Sequence, residues 1–294
     1  MSPARSPSSR PWDQRRSFKN NAASLDLVTT GSVAAGHSIF LQFAMKPSGG
    51  PITAYAHASG NSTHIFDFTL DGEAINTAAG GGAGGAVRTV IFSTQAVPAL
   101  AAGTVFTVNF PTSDAQAVTA AKFRGITAVN ALDRVVTNAE STSTVSSGFT
   151  ATTTQAQEVL IGAIGVRGQV DEAAPNDSTN NLGFTAGTAY TVWAGNGTPS
   201  GNAGNKNSSI HPEFRVVNAI GSYQADGLLN SNAGGPWAAI LATYKADLTD
   251  HFEISAPASA GAGIPFTITV RAKEAFTGGW PASGSETAPR VRSG

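Results

Sequence analysis

The sequence predicts an all-β protein: a two-sheet, jelly-roll-like β-sandwich with an extended N-terminal arm and a partial β unit at its end. Three observations carry this. The first is Glu158-Val-Leu-Ile-Gly-Ala-Ile-Gly-Val166, a nearly continuous apolar run preceded by the polar segment 150–157. A short run without a 3.6-residue period, bounded by polar stretches, reads as a strand covered on both faces. Gly162 and Gly165 in it leave room for bulky neighbours to approach the backbone. The second is a series of about ten short alternating segments separated by turn signals, the mark of a sandwich. The third is composition: charged residues make up 13% of the 294, and Gly, Ala, Ser, Thr and Asn abound. Helical bundles instead need Leu, Glu and Lys at helical spacing.

The same composition excludes several functions. A net charge of −1 exerts no general pull on nucleic acid or anionic membrane. There are no cysteines, so disulfides and thiolate metal sites are ruled out. No apolar run is long enough for a membrane-spanning helix. The basic start, Met1–Lys19, has no apolar stretch behind it and does not read as a secretory signal. Either the chain is not exported by that route, or its true start lies upstream.

Residues 1–23 form a Pro/Ser/Arg arm in which Arg5, Arg10, Arg15, Arg16 and Lys19 outnumber Asp13. Such a segment is a solvated tail or an extended arm on a neighbouring subunit. In the second case Trp12 and Phe18 are apolar anchors, and Arg15 and Arg16 are polar subunit contacts. Its charge is too sparse for nucleic-acid binding.

Residues 24–247 are expected to form the sandwich. Ser38–Met45 puts Ile39, Leu41, Phe43 and Met45 on one face and Phe40, Gln42 and Ala44 on the other. His64–Leu70 alternates in the same way. Asp71-Gly72 then predicts a hairpin turn, with Glu73–Asn76 returning. Gly80–Gly85 is a loop without the spacing of a phosphate or dinucleotide site. Val87–Ser93, Thr104–Phe110 and Val118–Ile126 are further strands, the second ended by Pro111. A polar excursion, 170–207, carries one strand, Ala189–Ala194. Phe214–Gln224 and Pro236–Lys245 complete the set. Residues 248–294 hold two more strands, Phe252–Pro257 and Pro265–Lys273, too few to bury a core alone.

Four segments together, Ala121-Lys-Phe-Arg-Gly-Ile126, Leu132-Asp-Arg134, Glu158-Val-Leu-Ile-Gly-Ala163 and Trp237-Ala-Ala-Ile-Leu-Ala-Thr-Tyr-Lys245, resemble a β-sandwich module repeated in bacterial and phage surface proteins. In that module the Leu-Asp pair is a turn and the remaining motifs are strands. Phe252–Glu274 resembles the start of a bacterial immunoglobulin-like repeat. It departs from that pattern after Ala275, where the Phe-Gly-Asn turn and later strands are missing. The resemblance implies structural motifs and carries no catalytic residues.

Candidate chemistry is sparse. His37, His57, His64, His211 and His251 lack metal-ligand spacing, and His64 reads as a hydrogen-bonded core or rim residue. Asp67, Asp71 and Glu73 fall near one predicted turn, where a glycosidase cleft is not expected. Asp171, Glu172 and Asp177 lie in an oxygen-rich loop suited to calcium, though not in EF-hand order. Tyr190 and Trp193 beside the Gly/Asn loop 195–207 could form a glycan platform. Asn61, Asn196 and Asn207 head glycosylation-type triplets of the kind an Asn/Thr-rich chain contains by chance.

The expectation is therefore a non-enzymatic structural or binding protein of an exposed surface. The favoured version is a virion component, a capsid decoration or tail-associated protein. Its partners are further copies of the chain or capsid and tail proteins, and calcium is the one cofactor considered. The alternatives are a cell-surface adhesin fragment with glycan-binding loops and, least favoured, an enzyme acting on polysaccharide.

Overall fold

A computed structural model of the chain describes residues 13–18, 21–60, 62–77, 86–167, 183–193, 195–198, 208–229 and 235–248, and the backbone of 251–255 and 269–273. Among these residues there is no helix. The chain is all-β, as its composition and alternation predict.

Eight strands lie between residues 13 and 123. They are β1 (Asp13–Phe18), β2 (Ala22–Val28), β3 (Ser38–Met45) and β4 (Thr53–His57). β5 (His64–Asn76), β6 (Val87–Thr94), β7 (Val105–Ser113) and β8 (Gln116–Phe123) follow. Their antiparallel pairs are nested: β1 with β8, β2 with β7, β3 with β6, and β4 with β5. A long hairpin rolled on itself makes these pairs, and the order β1-β8-β3-β6-β5-β4-β7-β2 is that of an eight-stranded jelly roll. The edge strands β1 and β2 nearly close it, with Arg16 Nη1 donating to the Asp26 carbonyl at 2.8 Å.

Alternation dictates which residues fill this roll. Ile39, Leu41, Phe43 and Met45 of β3 meet Phe92, Phe106, Val108, Phe110 and Val118 in one dry core. Each such side chain contributes about 1.5–3 kcal/mol on full burial.

The second half builds another layer. Its strands are β9 (Leu132–Glu140), β10 (Thr144–Ser146), β11 (Gln157–Arg167), β12 (Phe184–Ala186) and β13 (Thr191–Val192). β14 (Asn196–Gly197), β15 (Ser208–Asn218), β16 (Asp226–Leu229) and β17 (Trp237–Lys245) complete it. The main sheet runs β13-β15-β11-β17-β9, and a small sheet, β10-β16-β12, covers its outer side. The inner side packs on β8, β3, β6 and β5 of the roll. Phe40, Ala44, Val87, Ile91 and Phe123 there meet Val159, Ile161, Ala163, Ile210, Phe214 and Ile240.

β11 is thus covered on both faces, as its apolar run predicts. Its even-numbered residues Leu160, Ile164 and Val166 pack outward with Val145, Phe184, Trp237 and Leu241. Gly165 faces the roll, and a Cβ there would collide with Thr89 Oγ1. β18 (His251–Ser255) and β19 (Thr269–Lys273) pair antiparallel as a separate hairpin.

Several expectations are corrected. Asp71-Gly72 is a β-bulge inside one 13-residue strand, not a turn. β5 pairs with β4 over residues 64–68 and with β6 over residues 69–76, and the bulge interrupts the β6 ladder between Leu70 and Gly72. Gly72 is needed there because a Cβ would sit 2.9 Å from Ile240 Cγ2. Leu132-Asp opens β9 rather than forming a turn, because Leu132–Glu140 pairs along β17. β7 runs past Pro111, which falls where the β2 ladder is irregular and after β4 pairing ends at Asn109, so no amide is missed. Residues 13–18, expected within a free arm, form the edge strand β1 on this chain's own β8. The strand expected at Ala189–Ala194 shrinks to Thr191–Val192. The glycine loop 80–85 lies outside the described residues.

Candidate functional site

The residues nominated from sequence scatter over the molecule. Trp12 lies outside the described residues, as do the side chains of Arg15 and Phe18. Arg16 is exposed and bonded to Asp26 of the neighbouring strand. The calcium loop with Asp171, Glu172 and Asp177 also lies outside the described residues. Among the described residues, no group of three or more His, Asp or Glu comes together to hold a metal.

Trp193 is not a glycan platform. It is 2% exposed, wedged between Phe123 and Phe214, and its Nε1 donates to Thr119 Oγ1 at 3.1 Å. It pins the second sheet to β8. Tyr190 is half-buried, and its hydroxyl donates to the Gln224 carbonyl at 2.6 Å. Both aromatics flank β13 and serve packing, Trp193 in the inner layer and Tyr190 at the edge of the outer one.

The three carboxylates near the bulge part company. Asp67 faces solvent and meets His64 Nε2 at 2.9 Å. Glu73 pairs with Arg88 Nε at 2.8 Å, and Arg88 also donates to the Ser48 and Gly50 carbonyls. Asp71 turns toward the second sheet and accepts the Tyr244 hydroxyl at 2.6 Å. Burial raises the Asp71 carboxyl, while hydrogen bonds from Ser93 and Tyr244 oppose the rise. The result is three separate structural contacts and no carboxylate pair across a cleft.

Two polar groupings escape a sequence reading. At the edge of the second sheet, Asp133 accepts the Thr154 amide at 2.6 Å and hydroxyl at 2.5 Å, with Lys245 Nζ 3.6 Å away. Burial pushes against ionisation of Asp133, but the Thr154 bonds outweigh it and hold the carboxyl below the usual range. Glu158 beside it is fully buried. Burial, reinforced by the Asp133 carboxylate, pushes Glu158 up to about 7. These residues belong to the Leu-Asp-Arg, Glu-Val-Leu and Tyr-Lys segments singled out above, now gathered at one end of β9, β11 and β17.

The second grouping is Ser209, His211 and Glu213, alternate residues on one face of β15. Ser209 Oγ lies 3.0 Å from His211 Nε2, the spacing of a nucleophile and its base. Ser209 is 1% and His211 0% exposed, and burial lowers the imidazole to about 3. A base so weak, with no access for substrate among the described residues, serves packing; Phe184 lies against it. Glu213 accepts the Asp226 amide at 3.2 Å, and burial, with the Asp226 carboxylate, raises it well above the carboxylate range. Only the spacing Ser-x-His-x-Glu within a strand could have signalled this row.

Comparison with known protein families gives no match, and no curated protein is significantly similar to the chain.

Proposed function

We propose that the protein is a non-enzymatic structural and binding component of an exposed surface, favouring a virion component such as a capsid decoration or tail-associated protein. The supporting observation is the nested pairing of residues 13–123 into an eight-stranded jelly roll. That architecture recurs in viral capsid and lectin domains, and the argument is an analogy of fold. The nominated carboxylates and the Ser209–His211 pair are tied into structural contacts, which agrees with a binding role. Subunits join by adding strands or arms to neighbours, with the N-terminal arm and the β18–β19 hairpin as the contacting elements. A two-stranded unit gains stability from such company.

The test separates source material on a density gradient and locates the protein by mass spectrometry. Co-migration with nuclease-protected particles is the expected result. Migration with cell envelopes would replace the proposal with the adhesin reading. Deleting residues 1–12 then tests the arm, since a cut at residue 23 would also strip β1 from the roll. Assembly should fail while the sandwich stays folded; unchanged assembly removes the arm's role.

A further inference from the structure

The jelly roll has two outer faces. One is covered by the second sheet; on the other, formed by β2, β7, β4 and the first half of β5, Asp26, His64 and Asp67 are exposed, Tyr55 and His57 are half-buried, and Thr107 is buried beneath them. Pairing register lines up Asp26, Thr107, Tyr55 and Asp67 in one row across these four strands. His57 and His64 are opposite each other beside that row. The Tyr55 ring lies 6.0 Å from His64 in a stacked arrangement and 5.6 Å from His57 at a 35° tilt.

Hydrogen bonds hold the two histidines on either side of the Tyr55 ring. Thr107 Oγ1 donates to Asp26 Oδ1 at 2.7 Å and lies 3.1 Å from His57 Nε2. His57 Nδ1 is 3.0 Å from the Ala58 carbonyl, and His64 Nε2 is 2.9 Å from Asp67 Oδ1. A solvated sheet face needs polar side chains, but it does not need a tyrosine ring packed against two hydrogen-bonded imidazoles.

We propose that this face is a saccharide-binding platform centred on Tyr55. The solvent-facing parts of the Tyr55, His57 and His64 rings supply apolar contact for the C–H groups of a sugar, and the exposed carboxylates of Asp26 and Asp67 accept sugar hydroxyls at either end. Four strands span about 14 Å, the length of a short oligosaccharide. Preorganised side chains lower the entropic cost of binding. Neutral, hydroxyl-rich chains fit this mixture of rings and acceptors. The inference does not rest on the virion reading, since a coat protein and an adhesin could both carry such a face.

The test is depletion of the purified full chain by insoluble chitin, cellulose, β-1,3-glucan and mannan, with polylysine resin as the cationic comparison. At least one of the four polysaccharides should retain the protein. Tyr55→Ala should weaken that retention about tenfold or more, as loss of a central aromatic anchor does. Asp67→Ala should weaken it less, and Leu228→Ser on the far small sheet should leave it unchanged. Thermal midpoints of all three variants should stay with wild type, which separates lost binding from lost fold. Retention by none of the polysaccharides, by polylysine alone, or equally by Tyr55→Ala overturns the proposal.

Discussion

The interior of the jelly roll and the layer beneath the second sheet are both buried, yet they are made of different material. Inside the roll, β3, β6, β7 and β8 contribute Phe43, Phe92, Phe106, Phe110 and their aliphatic neighbours. Around the second sheet, apolar residues share the buried space with Gln42, Thr89, Glu158, Arg167, His211 and Glu213. An apolar core needs only volume and pattern, whereas a buried polar group costs stability wherever an atom lacks a partner, as the Gln42 amide and Thr89 Oγ1 do. The roll therefore gains its stability from area, and the second layer gains a defined docking position from contacts such as Tyr244–Asp71 and Trp193–Thr119.

The sharpest way to break this contrast is a cavity in the roll. Phe106→Ala should lower unfolding stability by about 3–5 kcal/mol, read from denaturant midpoints, because nothing polar there can compensate. A loss under 1 kcal/mol would mean that the roll is not the stable half.

Next comes Glu158. Its folded value of about 7 lies above the ordinary carboxylate value, so the folded state holds the extra proton between the two. Stability from this group is fully present below about pH 4.5 and is lost as pH rises through 7. Glu158→Gln, neutral at every pH, should remove that loss and gain about 3 kcal/mol relative to wild type at pH 8. His211 has the opposite sign: its lowered value makes stability fall as pH drops below about 6.5 toward 3. His211→Asn should flatten the acid limb of the same stability profile. If neither variant changes the pH slope, the two groups are not buried as described.

Gly165→Ala should cost about 1–3 kcal/mol through overpacking against Thr89, and the double variant Gly165→Ala/Thr89→Ala should recover part of that loss. Tyr244→Phe should cost about 1–2 kcal/mol by removing one of the two donors, Tyr244 and Ser93, to the Asp71 carboxyl. The smallest effect belongs to Arg16→Ala. Its exposed side chain bridges β1 to β2 outside both cores, and a change within about 0.5 kcal/mol is expected.

The elements that were legible are those with one dominant local signal. β3 matches its predicted bounds to the residue, β11 and β17 match to within a residue at each end, and the alternation of β3 correctly divides that strand between two cores. β9 carries too little apolar weight to stand out, with Leu132 and Val135 partly exposed at a sheet edge. Asp-Gly is a turn signal by itself and divides β5 in the sequence; it becomes a bulge only because residues on both sides of it pair with β6. The candidate residues fared worse. Trp193 and Tyr190 looked like ligand contacts because a sequence records ring type and not burial, while the Tyr55 row draws its members from four strands.

By itself, the sequence determined the strand class, the apolar faces and the absence of thiol chemistry, because these follow from side-chain period and residue type. Tertiary structure alone decided that the strands nest into a jelly roll with a second sheet on one outer face. It also decided which polar residues are buried and which rings face solvent. The physical reason is range: alternation is a property of adjacent residues, whereas strand order and burial depend on pairs such as Asp71 and Tyr244, far apart along the chain and adjacent only after folding.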